Sequence, residues 1–146
     1  MGFRDAQTQL CSAQAFSTDA VSENTYDTGL AGRDIAEGEP LAVVITPTVA
    51  ADATAGNETY QFDVIQDDDA ALGSPSIIVS RVIAAALLTV GSRHVIPIPP
   101  GAITLRYLGL NFDGGGTTPT ITVDAFIVPL SMAGGSKNYA DGFNIT

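Results

Sequence analysis

Residues Arg93 to Phe112 read R-H-V-I-P-I-P-P-G-A-I-T-L-R-Y-L-G-L-N-F, and this stretch decides the fold class. Val95, Ile96 and Ile98 are β-branched, while Tyr107, Leu108, Leu110 and Phe112 suit a packed, pleated surface, so two strands of a buried β-sheet are predicted. Pro99-Pro100-Gly101 forms a turn between them, because proline presets φ and lacks an N–H for a ladder, whereas glycine permits positive φ. The stretch also gathers scarce residue types: the one histidine of the chain, His94, with Arg93 and Arg106. In the second strand Arg106 shares parity with Leu108, Leu110 and Phe112, and Tyr107 lies with Leu105. Both faces are therefore partly apolar, and one is predicted to meet another subunit.

Working outward, Leu41 to Thr46 is a continuous apolar strand that Pro47 is predicted to end. From Glu58 the residues alternate, with Tyr60, Phe62 and Val64 pointing one way and Gln61, Asp63 and Gln66 mostly the other, as in a sheet with one wet face. Asp67-Asp68-Asp69 closes that strand, and Gly73-Ser74-Pro75 turns the chain into Ile77 to Val82. The run Ile77 to Val90 is predicted as strand, loop, strand, although A-A-A-L-L could form a helical turn. Asp113-Gly114-Gly115-Gly116 reads as a hairpin turn. Thr118 to Pro129 follows as the clearest strand, Ile121, Val123, Ala125 and Ile127 alternating with polar neighbours.

The count is seven or eight short strands with Gly/Pro turns and no long amphipathic helix. An all-β domain follows, a jelly roll or closely related β-sandwich or barrel. Three regions are expected: an N-terminal arm over residues 1–33, the β domain over 34–130 and a glycine-loosened C-terminal arm over 131–146. The arms are expected either to fray or to order on a neighbour by adding strands to its sheet edges.

At 146 residues the chain is expected to form one domain with a single core. No apolar run approaches the ~20 residues that cross a bilayer, so no membrane partner is expected. The opening M-G-F-R-D-A-Q-T-Q-L has no long apolar core, so no signal peptide is expected, and synthesis in a reducing cytoplasm suits the lone Cys11. A formal charge of −10 with six Lys and Arg argues against nucleic acid as a partner, since binding phosphates requires cations.

Catalytic chemistry finds little support. His94 is the one candidate base titrating near neutrality, yet it sits in a strand pattern with no second histidine and no nucleophile motif beside it. A structural or interface histidine is the expectation, and the chain is not expected to be an enzyme. Arg81, Arg93 and Arg106 lie on or beside strands, where they either pair internally with carboxylates or fork onto a partner. Asp67 to Asp69 lacks the D-x-D-x-D-G spacing of a calcium loop, so neither a metal nor any other cofactor is assigned.

With these residues laid out, the chain resembles the capsid cement (decoration) proteins of short-tailed bacteriophages. The resemblance is carried by M-G-F-R-D-A-Q-T-Q-L at the start; by E-T-Y-Q-F-D (58–63), S-R-H-V-I-P-I-P-P-G and R-Y-L-G-L-N-F in the middle; and by G-T-T-P-T-I-T-V-D-A-F and N-Y-A-D-G-F towards the end. It implies a jelly roll on the outer surface of the virion head, bridging neighbouring major capsid protein subunits and pairing with itself, a homodimer being favoured over a trimer. It implies neither enzymatic activity nor a cofactor. Phe3, Arg4, Leu10, Arg93, His94, Arg106, Tyr139 and Phe143 are the expected capsid or self-contacts. A carbohydrate-binding jelly roll is the competing class, since lectin domains share this architecture.

Overall fold

The computed structural model of the protein describes residues 8–29 and 41–129. Nine strands lie along them: β1 Gln9–Phe16, β2 Ala20–Val21, β3 Tyr26–Asp27, β4 Leu41–Val49, β5 Thr59–Asp67, β6 Ser76–Val82, β7 His94–Pro97, β8 Tyr107–Gly115 and β9 Ile121–Pro129. They form two antiparallel sheets, ordered β1-β9-β4-β7 and β2-β8-β5-β6, with β3 also paired to β8. The pairs are nested. β5 with β6 is innermost, then β4 with β7, then β2 and β3 with β8, and outermost β1 with β9. Successive shells fall in opposite sheets, so one long antiparallel ribbon is wound around a common core, which is the jelly-roll topology.

Burial follows the period of two. Ile121, Val123, Ala125 and Ile127 on β9 face inward, as do Tyr60, Phe62 and Val64 on β5 and Leu108, Leu110 and Phe112 on β8. Phe112 sits at the centre of an aromatic cluster, 5.1 Å from Phe16, 5.9 Å from Tyr60 and 5.5 Å from Phe62 between ring centroids. The Tyr60 hydroxyl is fully buried and donates to the Asp52 carbonyl, while Thr120 N–H donates to it at 3.2 Å. This satisfies a polar atom that would otherwise weaken the core.

Several expectations are corrected. Residues 9–27 are not an arm outside the strand block: β1 pairs with β9, and β2 and β3 pair with β8. Leu10 and Cys11 are fully buried and Phe16 nearly so, which is why a segment so rich in Ala, Gln and Ser still joins the sandwich. The C-terminal arm, residues 131–146, lies outside the described residues. β4 runs through Pro47 to Val49, because its β7 partner stops at Ile45 and no ladder bond is required there on that side. After β6 the A-A-A-L-L run forms a 3-10 turn, Ala85–Leu87, and the second predicted strand before Val90 is absent.

The two strands of the deciding stretch do not share a sheet. β7 belongs with β4 and β8 with β5, so the Pro99-Pro100-Gly101 turn begins a crossover between sheets. Asp113 to Gly115 likewise continue β8 instead of forming a hairpin. Glycine is needed at 114 because a Cβ there would lie 2.7 Å from two ring atoms of Phe112.

Candidate functional site

The two edge strands at one side of the sandwich, β6 and β7, both come from residues 70–112, a stretch with three arginines and no Asp or Glu. Arg81 shares a register position with the inward-facing Phe62, but at the sheet edge its side chain crosses to the other sheet and Nη1 donates to the Val95 carbonyl of β7. The guanidinium thereby joins β6 and β7 into one rim. Large apolar groups stand exposed along and beyond it: Ile77 at 59%, Val82 at 66%, Leu87 at 61% and Val90 at 64%. Val49 joins them from β4, since Ala51 N–H donates to Leu88 O and Gly91 N–H to Pro47 O on either side of it.

His94 lies beneath this rim. It is buried, and its Nε2 is 3.1 Å from Leu87 O and 2.9 Å from Ser92 Oγ. Because the Ser92 hydroxyl donates to Thr89 O, the hydrogen-bond pattern places the imidazole proton on Nε2, donated toward Leu87 and Ser92. Burial, with Arg81 adding to it, holds His94 below the ordinary histidine pKa, against the Leu87 hydrogen bond. The residue is thus a neutral strut for the 3-10 turn.

The opposite edge is organised by Arg106. Its Nε and Nη2 donate to Asp27 Oδ1 and Oδ2 at 2.8 and 2.9 Å, a two-pronged pair, and its guanidinium carbon stands 5.0 Å from the centroid of Tyr107. The guanidinium bond, helped by Gly29 N–H, holds the Asp27 carboxyl down to about 2. The pair closes β3 onto the start of β8. Next to it lies an open cleft of about 620 Å³ lined by Gln9, Glu23, Asn24, Thr25, Tyr26, Asp27 and Ala70.

The triple aspartate serves the loop that contains it. Asp67 Oδ1 accepts from Asp69 N–H at 3.2 Å and Oδ2 from Ser74 N–H at 2.8 Å, and those bonds hold its carboxyl below the usual range. The loop folds back so that Leu72, at φ 54° and nearly buried, covers Gly109 of β8. Gln66 also departs from expectation: it shares the inward parity of Tyr60, and its Oε1 accepts from Thr104 and Leu105 N–H at 2.8 and 3.0 Å. Among the described residues no group of three or more His, Cys, Asp or Glu is placed to hold a metal ion.

Of the expected contact residues, Arg93 is exposed beside His94 on the β7 side, and Arg106 is engaged with Asp27 on the other edge. Leu10 is fully buried in the core, which removes it from any surface. Phe3, Arg4, Tyr139 and Phe143 lie outside the described residues. The four described members thus fall in three places: Arg93 and His94 on the β7 side, Arg106 on the other edge and Leu10 in the core. Ile77, Val82, Leu87 and Val90 stand exposed outside the expected set, within the acid-free stretch visible in the sequence.

Residues 10–127 match the model of the Bbp16 family, a span running from β1 into β9. The chain belongs to the Bbp16 family. That family name is associated with bacteriophages. No curated protein matches the chain. The Bbp16 match takes in every described strand in whole or large part, including β1 to β3, in keeping with their place in the sandwich.

Proposed function

We propose that this Bbp16-family protein is a structural virion component that binds the outer surface of a phage capsid and cements neighbouring major capsid protein subunits. The observation that carries the proposal is the family match over residues 10–127, with its phage association, on a jelly roll whose β6/β7 rim exposes apolar side chains. A net charge of −10 favours the outside of the head, remote from packaged DNA phosphates. Modest contacts suffice for such a role, because lattice-held subunits present binding partners at high effective concentration. The carbohydrate-binding alternative draws less support: the chain has no Trp, and Tyr60, Phe62 and Phe112 are fully buried, leaving these three unable to stack on a sugar.

Residues 8–29 belong to the folded sandwich, so trimming the whole N-terminal region would remove core strands instead of testing an arm. The test is co-sedimentation of the purified full chain with empty capsids of its phage, alongside a glycan array. Saturable capsid binding with a blank array is expected. Glycan binding without capsid binding would overturn the proposal.

A further inference from the structure

Sheet edges expose unpaired N–H and C=O groups, and folded proteins ordinarily blunt them with short strands, proline, distortion or charge. Three of the four edges of this sandwich are blunted in those ways. β7 has four residues, ends at Pro97 and leads into Pro99 and Pro100. β2 and β3 have two residues each. β1 is broken by two register shifts, Ala13 has φ 47°, and Ser12 and Ala13 N–H are taken by the carboxylates of Glu23 and Asp124 at 2.9 and 2.6 Å.

β6 is different. Its seven residues, S-I-I-V-S-R-V, contain no proline and a single charge, Arg81, whose guanidinium reaches across to Val95 O of the other sheet, and none of the other described strands pairs with its outer side. One register shift near Ile78 disturbs its N-terminal half, whereas Val79, Ser80, Arg81 and Val82 pair regularly with Val64, Asp63, Phe62 and Gln61. This leaves a straight four-residue template flanked by exposed Ile77, Val82, Leu87 and Val90.

The electrostatics select the occupant. Arg81 stands at this edge with one guanidinium nitrogen on the Val95 carbonyl, while the carboxylate of Asp63 on the adjoining strand is buried and bonded to Gln61 and Asn111 at 2.9 and 3.1 Å. In a chain of net charge −10, β6 itself thus carries one cation and no acid. A second copy would bring the arginine-bearing rims together, whereas an acidic, apolar segment would complement both features. Resting on the proposed function, we infer that the outer edge of β6, residues 79 to 82, docks an extended carboxylate-bearing apolar segment of the major capsid protein, which adds to this five-stranded sheet as a sixth strand beside β6.

The test compares wild type with Val82→Glu and Val82→Lys for binding to empty capsids, with unfolding and gel filtration run in parallel. Val82 is exposed, so both variants should unfold within a few degrees of wild type, roughly the effect of a surface change in a domain of this size. Val82→Glu is expected to bind at least about tenfold more weakly, the equivalent of losing 1.4 kcal/mol. Val82→Lys should lose clearly less, because its ammonium meets the partner carboxylate. Wild-type capsid binding that is matched by Val82→Glu overturns the inference and leaves the proposed function standing. A Lys variant as weak as the Glu variant overturns the acidic partner. A dimer lost in Val82→Glu with capsid binding unchanged assigns the edge to a second copy instead. Wild type that leaves capsids bare overturns the proposed function together with the inference.

Discussion

Replacing Phe112 by Ala tests the jelly-roll core at its centre. The ring is fully buried among Phe16, Tyr60 and Phe62, and it touches aromatics from β1 and β5 at once. A Phe-to-Ala truncation in a close-packed core costs ~3–5 kcal/mol, combining lost burial with a cavity that the surroundings only partly fill. At about 2–4 °C per kcal/mol for a domain of this size, the unfolding midpoint should drop by roughly 6–20 °C. A second substitution makes the test specific to the geometry. In wild type, Gly114→Ala places a Cβ 2.7 Å from Phe112 Cε2 and Cζ, and a buried ring cannot yield, so overpacking should cost ~1–3 kcal/mol. Once Phe112 is Ala the obstacle is gone and most of that penalty should vanish. Urea unfolding of the four proteins in the cycle measures the coupling, expected at roughly 1–2 kcal/mol. Additive effects within about 0.5 kcal/mol would refute the placement of Phe112 against Gly114.

Three further outcomes are expected. Gly109→Ala should expel Leu72 from its seat on β8 and open the Asp67–Ser74 loop, destabilising by ~1–3 kcal/mol and speeding proteolysis within the loop; unchanged cleavage would contradict that packing. Arg106→Ala should return the Asp27 carboxyl from about 2 towards 3.8, read by carboxyl NMR; in wild type the stability from this pair is present above pH 3.8 and lost as pH falls towards 2, and an unmoved titration would refute the pairing. His94 binds protons more weakly folded than unfolded, so its share of stability is complete above pH 6.5 and declines below it; the wild-type midpoint should fall more than that of His94→Gln as pH is lowered from 6.5, and parallel curves would contradict a buried neutral imidazole.

The strands legible in the sequence are those whose alternation is strong: Ile121 to Ile127, Tyr60 to Val64 and Leu108 to Phe112 each face the core with every second residue. β1 was hidden because only Leu10, Cys11 and Phe16 of its eight residues are buried, and its register breaks twice, so no period of two survives in Q-L-C-S-A-Q-A-F. The division into sheets was hidden for another reason. Nested pairing joins Gln9 to Phe126 across almost the whole chain, and local residue types carry no record of such a partner. Turn residues therefore misled at Pro99 to Gly101, where chain reversal and a change of sheet look alike. Glycine misled at Asp113 to Gly115, where it makes room for the Phe112 ring inside a strand.

At the candidate site, the arginines stand out in the sequence, but the roles of Arg106 and Arg81 separate only with the pairing in hand. Arg106 answers Asp27, 79 residues away in sequence, whereas Arg81 ties β6 to β7. The apolar edge was legible as I-I-V-S-R-V. Its being an edge was not, because that depends on which strand lies outermost in the sheet.

The claim that this protein cements a capsid is tested most directly by the temperature at which DNA-filled heads release their DNA, measured on particles lacking the protein before and after adding it back in purified form. Release should shift upward on addition and saturate with the number of bound copies. Bound protein that leaves the release temperature unchanged would contradict the claim.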